Sequence, residues 1–169
     1  MILIVNMCED ELSEMEFVRP IAMLAEDHVV VHYSQVRLAD RRAAEKIIIA
    51  GTSLKDFDYL KGKFGWLKKT KRPVLGICAG AQVIAREFGF VLEDFSLIGP
   101  QKVEVVEKNK LADGSFNAYF LNTKIITECH PLAVCNDKPC MFRIPEKEIY
   151  GCLFHPEVMN EDIIRRFLK

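Results

Sequence analysis

The stretch KRPVLGICAGAQVIAREFG, residues 71 to 89, decides how this chain folds. An apolar run at 73 to 77 reaches Cys78, and the helix-forming residues from Ala79 onward follow without a linker. Gly76 and Gly80 flank the cysteine at two residues on either side. They remove the Cβ atoms that would collide where a strand turns sharply into a helix. A thiol at such a corner lies at a helix N-terminus, where free N–H groups and the helix dipole favour thiolate over thiol. The same N–H groups, beginning with that of Ala79, could receive an anion formed on a bound carbonyl oxygen. From the turn alone, a buried structural cysteine remains an equal reading.

Working outward, short apolar runs at 2 to 5, 28 to 33, 46 to 50 and 73 to 77 predict buried strands, because fully covered parallel strands are continuously apolar. Segments of helical length separate them, which predicts βαβ units and an α/β fold. The first helix, within 11 to 26, contains Pro20, so it is either kinked or restarts there. After Gly89 the runs at 102 to 107, 124 to 128, 132 to 135 and 148 to 154 predict sheet extension and hairpins. The closing segment NEDIIRRFLK predicts a helix capped by Asn160, with Ile163, Ile164, Phe167 and Leu168 as its apolar stripe. The whole, residues 1 to 169, is expected to be one domain.

Lys and Arg number 23 against 24 acidic residues, so no net field exists to hold nucleic acid or an anionic membrane. The N-terminus lacks a basic leader and a long apolar core, which predicts a cytoplasmic protein. Six scattered cysteines do not make a disulfide framework and are expected as thiols. A metal site at Cys129, His130, Cys135 and Cys140 lacks the C-x2-C pair usual for zinc, so free packing thiols are favoured and no metal is expected. The basic segment 61 to 72, around Phe64 and Trp66, is read as a solvated helix face, with a partner-binding patch as the alternative. His28 and His32 are read as structural.

The segment YGCLFHPEV, 150 to 158, moves the odds at Cys78. His155 and Glu157 are two residues apart, so an extended chain would point both to one face. Cys78, His155 and Glu157 would then supply a nucleophile, a general base and acid, and a carboxylate that sets the imidazole tautomer.

GICAGAQ and IYGCLFHPEV resemble the G-x-C-x-G-x-Q elbow and the C-terminal H-P-E motif of class I, triad-type glutamine amidotransferases. WLKKTKRPVLGICAGAQ is similar to the family's approach to its elbow, and ITECHPLAV resembles a substrate-contacting loop. The resemblance implies a flavodoxin-like three-layer sandwich with a mostly parallel sheet. It further implies hydrolysis of L-glutamine through a Cys78 thioester, with ammonia passed to a synthetase and no cofactor. It places Gln82, His130 and Pro131 at the substrate. Where the family carries Gly-Gly-Pro to complete an oxyanion hole with Ala79, this chain has AGTSL, leaving Gly51 or Thr52 to donate. Leu153 replaces a usual Gln, and the stretch before the last motif is shortened. The first strand ends in NMCED, so the branch and the ammonia acceptor stay open, one option being a subunit of the GMP-synthase kind. Because the chain ends soon after H-P-E, the acceptor is expected on another polypeptide. The alternatives are a γ-glutamyl hydrolase or peptidase with the same triad, and a non-catalytic regulatory module.

Overall fold

The computed structural model describes residues 1–169. Strands β1 (Ile2–Asn6), β2 (His28–His32), β3 (Lys46–Ile49) and β4 (Val74–Ile77) form from the four early apolar runs. Helices α1 (Glu11–Phe17), α2 (Arg19–Leu24) and α3 (Leu38–Ala43) lie between the first three. Pro20 resolves the first helical stretch into two helices, because it sits in the first turn of α2, where its missing N–H has no partner to lose. Asp10 caps α1 by accepting from the Ser13 N–H at 2.9 Å.

After β4 come α4 (Ala79–Phe88), β5 (Val91–Val105), β6 (Ser115–Thr127), β7 (Pro131–Cys135), β8 (Lys138–Arg143) and β9 (Ile149–Cys152). Helices α5 (Pro156–Met159) and α6 (Glu161–Leu168) close the chain. All nine strands join one sheet in the order β2-β1-β3-β4-β9-β8-β7-β5-β6. β2, β1, β3, β4 and β9 run parallel, and β8, β7, β5 and β6 extend the sheet by antiparallel pairing. The crossover from β1 to β2 runs opposite to that from β3 to β4, so right-handed connections put helices on both faces. α1, α2, α5 and α6 pack together, while α4 covers β3, β4 and β9. One buried cluster of 48 residues runs through the parallel and antiparallel parts alike, so no seam divides them.

Three local expectations change. The basic segment 61 to 72 is not a helix face: it makes a short 3-10 turn at Gly65–Lys68 and then extends into β4. Asn160 precedes α6, but its side chain makes no capping bond and its Oδ1 is buried without a partner. β5 and β6 are far longer than the runs read from sequence, and β5 absorbs a bulge between Asp94 and Leu97. No helix is long and apolar enough to cross a membrane.

Candidate active site

Parallel strands β3, β4 and β9 deliver three chain segments to their shared carboxyl edge, where open α/β sheets place their sites. Cys78 takes φ 47° and ψ −102°, a strained conformation for a residue with a Cβ. Such strain is on the order of 1–3 kcal/mol and persists only when the surroundings over-determine it. Here they do. The Cys78 N–H donates to the Cys152 carbonyl at 2.8 Å, and its carbonyl accepts from Gln82 N–H at 3.0 Å. A Cβ at Gly76 would lie 2.6 Å from the Gly80 backbone, and one at Gly80 would strike the Ile49 carbonyl.

His155 and Glu157 meet by a different route from the extended strand the sequence suggests. β9 ends at Cys152, His155 is the residue before α5, and Glu157 lies in the first turn of that helix. His155 Nδ1 lies 2.7 Å from Glu157 Oε1, and both side chains are fully buried. Nε2 of His155 is buried with no nitrogen or oxygen partner, and the imidazole interacts with the Cys78 side chain. Burial opposes the charged imidazole, but negative charge at Cys78 and at Glu157 outweighs it and raises the His155 pKa well above its ordinary value.

The segment after β3 completes the cluster. A Cβ at Gly51 would lie 2.6 Å from His155 Cε1 and 3.4 Å from Cys78 Cβ, so only glycine fits against both. The N–H groups of Gly51 and Thr52 find no acceptor in the chain. Thr52 Oγ1 instead donates to Asp56 at 2.6 Å, which ties down the loop. Gln82, beside the thiol, accepts from Tyr59 Oη at 2.8 Å.

His130 and Pro131 do not line this site. The His130 ring is 78% exposed and bonds Glu107 at 2.5 Å, and Pro131 opens β7 opposite Phe142. The residues beside Cys78 are instead Leu121, Asn122 and Thr123, because the long β6 crosses the segment that follows β9. His155 N–H donates to Tyr119 O at 2.8 Å, Asn122 Nδ2 to Leu153 O at 2.7 Å, and Cys78 Sγ sits 3.5 Å from Leu121 O. No three His, Cys, Asp or Glu side chains converge as metal ligands, at Cys129, His130, Cys135 and Cys140 or elsewhere.

A sequence profile of glutamine amidotransferase class-I matches residues 24–169. The chain belongs to that family. Among curated proteins it is 32% identical over 114 residues to one subunit of the glutamine-hydrolysing GMP synthase of Methanococcus maripaludis, covering 57% of this chain and 59% of that one. The corresponding subunit of Pyrococcus abyssi is 30% identical over 114 residues, with the same coverage. The chain thus spans somewhat under two thirds of these relatives. A crystal structure from Thermoplasma acidophilum, described as a candidate subunit of GMP synthase, superposes with a TM-score of 0.85 at 21% identity, covering 99% of this chain and 91% of that one. At that identity the likeness speaks for the fold.

For a class-I amidotransferase the unforeseen neighbours are Phe17, Tyr59 and Asn122. The Phe17 ring packs on the His155 imidazole with centroids 5.2 Å apart. Tyr59 and Phe17 carry no sequence signal beyond apolar patterning. Asn122 ends the apolar run AYFL and is followed by Thr123 and Lys124, which in sequence reads as a strand's polar end, yet it is 1% exposed.

Proposed function

We propose that the chain is a glutaminase domain, residues 1–169, that hydrolyses L-glutamine and passes ammonia to a separate synthetase subunit in the cytoplasm. The carrying observation is the buried His155, which has Nδ1 on Glu157 and interacts on its other side with the Cys78 thiol at a strained elbow. Cys78 Sγ attacks the side-chain amide carbon, and the oxyanion meets the N–H of Ala79 together with that of Gly51 or Thr52. His155 gives its Nε2 proton to the departing ammonia, leaving a γ-glutamyl thioester. It then takes a proton from water, whose hydroxide attacks the thioester and expels the Cys78 thiolate as glutamate forms. Glu157 holds the ring and balances the imidazolium. Gln82, fixed by Tyr59, holds substrate. That the curated relatives are subunits of GMP synthases supports a GMP synthase as the ammonia acceptor.

The test is labelling with a glutamine-analogue diazoketone, followed by product analysis. Burial pushes the Cys8 thiol up to about 11 and also raises Cys129, Cys135, Cys140 and Cys152. The label is therefore expected on Cys78, with glutamate and ammonia as products and none from Cys78→Ala. Label on another cysteine, or turnover of γ-glutamyl peptides in preference to glutamine, would overturn the reading.

A further inference from the structure

The amino-terminal edge of the parallel sheet, opposite the Cys78 site, holds a second concavity. α3 leads into β3 there, and the basic segment leads into β4. Between them lies a cleft of about 530 Å³ lined by Arg41, Arg42, Trp66, Lys69, Lys71 and Arg72. No carboxylate lines it. The chain has one more acidic than basic residue and pairs many cations elsewhere, yet none of these five makes a salt bridge. Glu45, the carboxylate two residues past α3, is held mainly by the amino terminus at 2.8 Å, with Arg72 a lesser attraction.

The walls are held in place. Arg72 Nη2 donates to Arg42 O at 2.9 Å and links them across the cleft. The Arg41 guanidinium stacks 5.3 Å from the Trp66 ring centroid, and its Nε donates to Arg37 O at 3.3 Å. Five like charges facing one concavity repel one another, and a bound polyanion relieves that repulsion. The volume lies within the roughly 300–1,000 Å³ of small-molecule pockets. A single aromatic ring, with a guanidinium on it, makes a platform for one planar base.

We propose that this cleft binds a nucleoside polyphosphate, its base against Trp66 and Arg41 and its phosphates among Arg42, Lys69, Lys71 and Arg72. A duplex or single strand would need a basic track continuing well beyond the cleft, which the chain's balanced charge does not favour.

Trp66 is the chain's sole tryptophan, so its emission reports on this site alone. The full chain is titrated with ATP and GTP, with inorganic triphosphate, with adenosine and guanosine, and with a short single-stranded oligonucleotide. Calorimetry runs in parallel. The expected result is a saturable Trp66 response to ATP or GTP that weakens with added salt. Affinity should fall at least tenfold for inorganic triphosphate, and at least tenfold in the doubly substituted Lys69→Glu, Lys71→Glu chain. Both lysines are exposed, so that variant keeps its fold, checked by circular dichroism and by Cys78 labelling. No saturable response to any nucleotide, unchanged affinity in the variant, equal affinity for inorganic triphosphate, or binding of the oligonucleotide alone would each overturn the proposal.

Discussion

At Gly51 a single missing Cβ holds the geometry of two other residues. Adding it would force His155 or the loop to move, since the built contact to Cε1 is 2.6 Å. A displacement of about 1 Å at a reacting group can cost roughly 100-fold in rate. Gly51→Ala is therefore expected to lower kcat by about 100-fold while costing about 1–3 kcal/mol of stability, measured by steady-state kinetics and denaturant unfolding. Unchanged kcat would show that the added Cβ displaces neither His155 nor the N–H donors of the loop. The raised pKa of His155 makes a second residue-scale prediction. A histidine raised in the folded state adds stability that is fully present below its unfolded pKa of about 6.5 and is lost as pH rises through the folded value. The melting temperature should fall as pH rises above about 6.5 toward the folded value and level off beyond it. Cys78→Ala and Glu157→Gln, which each remove one of the charges responsible, should flatten that fall. An equally steep fall in both variants would mean that His155 is not the group concerned. At this scale Cys78, His155 and Glu157 were legible because their spacing and glycine flanks belong to local chain geometry. The route that joins His155 to Glu157 was not, since Pro156 starts a helix where alternation predicted a strand.

At the scale of elements, strands buried on both faces announce themselves as apolar runs, and β1, β3, β4 and β9 fall close to where those runs lie. β5 and β6 do not, because they expose part of their length and carry charges, Gly99 and Pro100 inside the pairing. The resemblance of ITECHPLAV placed His130 and Pro131 at the substrate, whereas Leu121, Asn122 and Thr123 lie beside Cys78: which residues of a hairpin cross a distant site depends on a register that only the folded pairing sets. Asn122 fixes that crossing. Its Nδ2 gives the buried Leu153 carbonyl a donor at 2.7 Å, while its own Oδ1 is buried without one. Asn122→Ala strands the carbonyl but also removes the orphaned oxygen, so a loss of about 1–2 kcal/mol is expected in chemical unfolding. Asn122→Asp keeps the shape yet sets a carboxylate against the carbonyl in a buried place, and should cost more than alanine. The reverse order would mean that the hydrogen bond from Asn122 to Leu153 does not fix the crossing.

At the scale of the whole molecule, the parts of the site are assembled but the space for substrate is not. The cavity at Cys78, walled by the 52-to-57 loop, α4 and Leu121–Thr123, holds about 10 Å³, about enough for one water. Glutamine can reach the thiol only if the β6 crossing and the loop after β3 separate. The loop is tied by Thr52 to Asp56, and the crossing by Asn122 to Leu153. Opening therefore breaks buried hydrogen bonds, and each such bond is worth roughly 0.5–1.5 kcal/mol. These two, about 1–3 kcal/mol together, hold the open state to between about 15% and under 1% of the population. A synthetase subunit that docks at the carboxyl edge and prefers the open form would recover that population, and the largest gain in rate equals the inverse of the open fraction. On the proposed reading, the isolated chain hydrolyses glutamine slowly and a docked synthetase raises kcat by about sixfold or more, with a smaller change in KM. Alkylation of Cys78 by a small neutral electrophile should accelerate in parallel, because it reads access to the thiol independently of turnover. Full glutaminase activity in the isolated chain, with Cys78 alkylated as fast as in the complex, would mean that the site opens readily and that the partner controls something other than access.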